Sequence, residues 1–157
     1  MSDKTIGMKL LEQRGVTYTP VSYPPTERDV EKLAVLFGVS AGQVYKTLVV
    51  MRLTPKGKPL LVMVAADRQL NLKKLAKAIG EKKVRMAKHA EAEKLTGLQV
   101  GGISPLALLN KGFQICADAP IQEQDAVYVS AGRKGTNLCV PVEALLDITA
   151  AKIVSAT

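Results

Sequence analysis

Val44-Tyr45-Lys46-Thr47-Leu48-Val49-Val50-Met51 is a β-branched, apolar run interrupted by one lysine, and its reading decides the class of fold. With the period of two that a strand imposes, Lys46 shares a side with Val44, Leu48 and Val50, while Tyr45, Thr47 and Val49 take the other. A second apolar run, Leu60–Ala66, follows Thr54-Pro55-Lys56-Gly57-Lys58, a stretch of turn composition. Two such neighbours predict a hairpin within a sheet covered on both faces. On an apolar row an ammonium loses hydration, which disfavours its charged form and lowers its pKa. A lysine there is paired, snorkelled to an edge, or used chemically; the plain alternative is that Lys46 leans from the strand's start into water.

Helical and strand patterns alternate on both sides of this hairpin. Residues 4–14 predict a helix ending near Gly15, and Val16–Tyr23 a strand stopped by Pro24-Pro25. Thr26-Glu27-Arg28-Asp29 reads as a capping-box start for a helix whose Val30, Leu33, Ala34 and Phe37 form one apolar stripe up to Gly38. Asn71 is an N-cap type for a helix closing at Gly80, with Leu72, Leu75, Ala76 and Ile79 inward and Lys73, Lys74 and Lys77 outward. Further on, the pattern predicts a strand at 82–86, a helix at 88–95, strands at 113–117, 126–130 and 138–140, a helix from Pro141 to about Asp147, and an edge strand within 148–154. No repeat or linker interrupts the order. The chain is expected to form a single α+β domain, 1–157, with a mixed sheet.

Composition narrows the chemistry. Of 157 residues, 47% are apolar but only 4% aromatic, with no tryptophan, so aliphatic side chains fill the core. No run approaches the roughly 20 apolar residues that cross a bilayer, and Met1-Ser2-Asp3-Lys4-Thr5 leads into an amphipathic pattern without a signal segment, so a cytoplasmic protein is expected. Two cysteines, Cys116 and Cys139, and the one histidine, His89, offer neither a disulfide framework nor metal-ligand spacing; both cysteines read as core residues. There is no Walker or GxGxxG pattern, so neither metal nor cofactor is expected. The net charge of +8 favours a polyanionic partner, and six of those eight charges fall within residues 73–88.

Leu98-Gln99-Val100-Gly101-Gly102-Ile103-Ser104-Pro105 carries the other signal. Paired glycines, an N-cap type and a proline at a first helical position aim backbone N–H groups at whatever lies before Gly102. Such a nest suits a carboxylate, a phosphate or a developing oxyanion; a tight strand-to-helix turn without ligand is the alternative.

Four stretches in order, Val44–Leu48, Leu70-Asn71-Leu72-Lys73-Lys74, Val100–Pro105 and Val129-Ser130-Ala131-Gly132-Arg133-Lys134-Gly135, resemble the YbaK/EbsC family of aminoacyl-tRNA deacylases. That family is similar to the editing domain inserted in bacterial prolyl-tRNA synthetases. The nearest subgroup is the free-standing Cys-tRNA(Pro) deacylases. The resemblance implies a mixed, mostly antiparallel sheet forming a partly open barrel flanked by helices. It also implies a site with Lys46 as the essential residue, Gly101 and Gly102 as donors, and Tyr23, Thr47, Ile103, Ser104 and Asn137 around the substrate. Lys73, Lys74, Lys77, Arg133 and Lys134 are then expected at tRNA phosphates. The partners implied are tRNA(Pro) charged with cysteine and prolyl-tRNA synthetase. Relatives often carry an acid where this chain has Asn137, which leaves the preferred amino acid open: alanine or another small residue competes with cysteine. Two further readings use the same features: a non-catalytic tRNA- or synthetase-binding module, and a lysine Schiff-base enzyme on small carbonyl compounds.

Overall fold

A computed structural model describes residues 4–54 and 57–157; Pro55 and Lys56 of the expected hairpin turn lie outside the described residues. In chain order the elements are α1 (Ile6–Gln13), β1 (Thr19–Ser22), α2 (Val30–Phe37), β2 (Tyr45–Arg52), β3 (Leu60–Ala65), α3 (Leu72–Ile79), β4 (Val84–Met86), α4 (His89–Thr96), β5 (Gln114–Asp118), β6 (Ala126–Ser130), β7 (Thr136–Pro141), α5 (Val142–Thr149) and β8 (Lys152–Val154), with short 3-10 turns at 41–43, 105–107 and 119–123.

The lysine strand and its neighbour pair antiparallel as expected, with Lys46 opposite Val64. They form the middle of a five-stranded mixed sheet, β4-β2-β3-β5-β8, in which β3, β5 and β8 run parallel. A second, antiparallel sheet has the order β1-β7-β6. A parallel bridge between Val44 and Tyr128 links the two sheets at one corner, giving the partly open barrel of an α+β fold.

All six residues of β3 are buried, so both faces of the larger sheet are covered. Leu61 and Met63 join Tyr45 and Val49 in the main core, with Val127, Leu138 and Leu145 from the second sheet and α5. Leu60, Val62 and Val64 join Val50 beneath Leu75 and Ala76 of α3. A third cluster, Tyr23, Leu33, Ala34, Val44 and Ala66, fastens α2 beside the corner bridge.

Several boundaries differ from the sequence reading. Val16 belongs to the end of α1, not to a strand: its N–H donates to Leu11 O (2.9 Å) while Gly15, at φ 69°, donates to Glu12 O, closing the helix in a Schellman motif. The first strand therefore begins at Thr19. The cap of α2 is Asp29, whose carboxylate accepts from Glu31 N–H (2.9 Å), so the capping box expected at Thr26 does not form. The cap of α3 is Asn71 as read, accepting from Lys74 N–H (3.1 Å). After Ser104 there is only the single 3-10 turn Pro105–Ala107, because Leu106 and Leu108 turn into the core rather than continuing a helix. Cys116 is fully buried, but Cys139 is only partly buried and so is not the core residue expected. Among the described residues no helix is long and apolar enough to cross a membrane.

Candidate active site

Lys46 lies where its apolar row opens. Val50 on the same side is fully buried, whereas Leu48 and Lys46 are only partly covered, and both line a cleft of about 360 Å³. The lysine is thus neither sealed in the core nor simply extended into solvent. One wall of the cleft is the start of β2 with Tyr45 and Thr47, and the next is the first turn of α2. The glycine segment supplies Val100, Gly101 and Ile103, and the second sheet supplies Ser130 and Asn137. A smaller recess of about 90 Å³ adjoins it, sharing Tyr23, Arg28 and Gly101 and adding Lys134.

Long-range pairing assembles these groups. Asn137, buried in β7, is held between Val21 of β1 and Ser130 of β6. The end of β1 delivers Tyr23, whose N–H donates to Gly135 O (3.0 Å) and whose hydroxyl lies 3.5 Å from Gly101 O. The Tyr23 ring meets Phe37 edge-on with centroids 6.1 Å apart, and Phe37 stacks on Tyr128 at 5.2 Å. This aromatic row anchors α2 against the cleft.

The glycine segment is a tight turn, not a helix-start nest. Gly102 N–H donates to Gln99 O (2.7 Å), and Gly101 at the third turn position has φ 95°, where a side chain would be strained. Gly102 N–H therefore does not face a substrate, which corrects its expected role as a donor. Its glycine identity has another cause: a Cβ there would stand 2.9 Å from Arg133 C and Lys134 N, so only glycine lets the 131–135 turn close on this segment. The amides of Gly101 and Ile103 have no acceptor among the described residues. Ser104 is also not a substrate group: it is fully buried and its Oγ accepts from Leu106 N–H (3.2 Å).

Of the cations expected at tRNA, Lys134 reaches the recess. Arg133 Nε donates to Thr136 Oγ1 (3.4 Å) within its own turn. Lys73, Lys74 and Lys77 line neither cavity, and Lys74 Nζ donates to Thr157 O (2.7 Å), committing it to the chain's last residues. Those residues are tied down further by Asp118, a buried carboxylate that accepts from Ala156 N–H (2.9 Å) and Thr157 Oγ1 (2.6 Å).

Arg28, Asp29, Glu31 and Ser130 line the cleft although the sequence reading gave them no role there. The signal in the sequence is a charged cluster at a helix start directly after Pro24-Pro25, the same residues that supply the cap of α2. Ser130 Oγ accepts from Gly132 N–H (3.1 Å), shaping the adjacent turn. His89 lies outside the cleft, with a solvent-exposed ring 3.3 Å from Glu93. Burial raises the pKa of the Cys116 thiol, which keeps it protonated and inert. The cleft therefore has cations, carboxylates, amides and hydroxyls around it, and among the described residues no histidine or cysteine lines it.

The aminoacyl-tRNA editing domain family matches residues 24–148. A protein of Enterococcus faecalis, provisionally named Cys-tRNA(Pro)/Cys-tRNA(Cys) deacylase EbsC, is 34% identical over 148 residues, covering 93% of this chain and 88% of its own. The proline–tRNA ligase of Thermodesulfovibrio yellowstonii is 32% identical over 116 residues, but this chain spans only 19% of that enzyme. A crystal structure described as a candidate trans-editing enzyme for prolyl tRNA synthetase superposes with a TM-score of 0.83 at 25% identity, covering 99% of each chain. The chain belongs to the aminoacyl-tRNA editing domain family and is an aminoacyl-tRNA deacylase.

Proposed function

We propose that the protein removes cysteine from mischarged Cys-tRNA(Pro), and that the thiol of the substrate is the nucleophile. The observation that carries this is the cleft's content: Lys46 stands with Tyr23 and Gly101 in a cavity whose lining holds no histidine or cysteine. A site of this kind accelerates a reaction by positioning and by stabilising charge, and it suits a substrate that brings its own reactive group. The cysteinyl sulfur attacks its own ester carbonyl, the S–C bond forms as the C–O bond to ribose breaks, and the thiol proton passes to the departing ribose oxygen. Water then opens the thiolactone. Lys46 and the amide of Gly101 offset the charge that grows on the carbonyl oxygen, while Tyr23, Thr47, Ile103 and Asn137 surround the terminal aminoacyl-adenosine. Arg28 and Lys134 take phosphates at the acceptor end, with Arg133, Lys73 and Lys77 outside the cleft for the tRNA body.

Such an activity answers a physical limit. Cysteine and proline are similar in size, and a synthetase pocket gains only about 1–3 kcal/mol from one methylene, so a second site is needed to clear the error. On this reading the partners are Cys-tRNA(Pro) and prolyl-tRNA synthetase.

The test is ester loss from Cys-, Ala- and Ser-tRNA(Pro), measured separately with the wild-type protein and Lys46→Ala. Rapid loss from the cysteinyl ester alone, slowed by about a hundredfold or more in the variant, is expected. Equal loss from the alanyl ester would dispose of the thiol step and point to a deacylase for small amino acids.

A further inference from the structure

The turn that forms one wall of the cleft is gripped from behind. Glu93, on α4 and outside the cleft, accepts a hydrogen bond from Val100 N–H through Oε2 at 2.9 Å. The carbonyl of that same peptide, Gln99 O, accepts from Gly102 N–H at 2.7 Å. The Gln99–Val100 peptide is thus held at both ends, by a charged acceptor at its N–H and a turn donor at its C=O. Bonds sharing one peptide polarise each other, and a carboxylate acceptor is the stronger kind. The next peptide along carries the N–H of Gly101, a residue that borders the cleft, and this N–H has no acceptor among the described residues.

Alternative supports are few. Tyr23 OH reaches Gly101 O only at 3.5 Å, the long limit for such a bond. The close packing of Gly102 on Arg133 and Lys134 fixes where the turn sits but not how its peptides are rotated. Glu93 is itself steadied by position: it lies one turn after His89, whose Nε2 is 3.3 Å away, and Thr96 holds the chain's exit from α4 through Leu98 N–H (3.1 Å). Val100 N–H is the first cause of the carboxyl's lowered pKa, so Glu93 is ionised and a full acceptor at neutral pH.

From this geometry we infer that Glu93 is a positioning residue for deacylation, acting through Val100 to hold the Gly101 amide toward the ester carbonyl. The inference rests on the deacylase reading above. It places a determinant of rate on an element that contributes nothing to the cleft surface.

Three proteins test it: wild type, Glu93→Ala and Glu93→Gln, the last keeping a carbonyl oxygen that can accept from Val100 N–H. Steady-state ester cleavage is measured against substrate concentration, alongside amide hydrogen exchange at Val100 and a thermal melt. Glu93→Ala should lower kcat by about ten- to a hundredfold with KM changed much less, the cost of a misplaced catalytic group. Val100 should lose exchange protection in the same variant, and Glu93→Gln should recover most of both losses. An alanine variant with wild-type kcat would overturn the inference, as would a glutamine variant no better than alanine, or a rate loss that follows the melting temperature alone. If the wild-type protein cleaves none of the esters, the deacylase reading fails first and the role of Glu93 falls with it.

Discussion

Tyr45 carries a cost within the core that its neighbours do not. The residue is 2% exposed, and its hydroxyl is the buried side-chain polar atom left without a partner among the described residues. Burial, reinforced by the negative charge of Asp118, pushes its pKa up to about 12, so the group stays neutral across ordinary conditions. Leaving a buried hydroxyl unbonded costs about 1–3 kcal/mol, whereas an isosteric apolar ring carries no such penalty. Tyr45→Phe should therefore keep or raise stability, by about 1 kcal/mol or roughly 2–4 °C in Tm. Thermal melts of the two proteins check this. A drop of similar size would mean that the hydroxyl is satisfied in solution, for instance by a buried water. Ser104 is the opposite case, fully buried but bonded to Leu106 N–H. The strand period told which side Tyr45 occupies, but not whether its hydroxyl meets a partner, because that depends on what the distant ends of β3 and β5 place there.

At the scale of elements, α4 shows how a polar helix is attached. Arg85 of β4 makes a forked pair with Glu91, 2.8 Å at each oxygen, and Lys88 N–H adds a third bond to the same carboxylate at 3.0 Å. The Arg85 guanidinium first, and then Lys88 N–H, pull the Glu91 pKa down to about 2 from an ordinary 4.5. A carboxyl depressed by folding stabilises fully above its unfolded pKa and loses that contribution as the pH falls through the folded one. Glu91→Gln should thus be less stable than wild type at pH 7, and the gap should close between about 4.5 and 2. Urea denaturation of both proteins at several pH values measures it; a gap independent of pH would show that shape, not charge, joins β4 to α4. Elements with local signals were legible: α3 follows from Asn71, its apolar stripe and Gly80. The same local logic misled at Val16 and at Gly102. A Schellman closure and a backbone approach from thirty residues away decided those two positions, and neither leaves a periodic trace.

The whole molecule brings together what the chain keeps far apart. Tyr23 and Asn137 reach Lys46 because β1 pairs with β7 and the Val44–Tyr128 bridge joins the two sheets. None of this pairing is written in local pattern, so Tyr23, Thr47, Ile103 and Asn137 were placed by family resemblance and not by periodicity. Arg28 was missed because its place in the cleft depends on how α2 docks through Tyr23, Phe37 and Tyr128. The basic run at 73–88 was read as one footprint, yet Lys74 binds Thr157 O and Arg85 binds Glu91. Salt dependence separates the cations that still meet tRNA. Each phosphate contact contributes about −0.7 to −0.9 to the slope of log affinity against log salt. With Arg28, Arg133 and Lys134 alone, raising salt from about 50 to 200 mM would weaken tRNA binding by roughly 20- to 40-fold; with Lys73 and Lys77 added, by roughly 100- to 500-fold. The second figure is expected, because a tRNA extends far beyond a cleft of about 360 Å³ and α3 offers those two lysines outward. Filter-binding titrations across salt, with wild type and the double variant Lys73→Ala, Lys77→Ala, should show the slope become shallower by about 1.4 to 1.8. An unchanged slope would confine the tRNA contact to the cleft and its recess, leaving the charge of α3 to solubility and to the tie at Thr157.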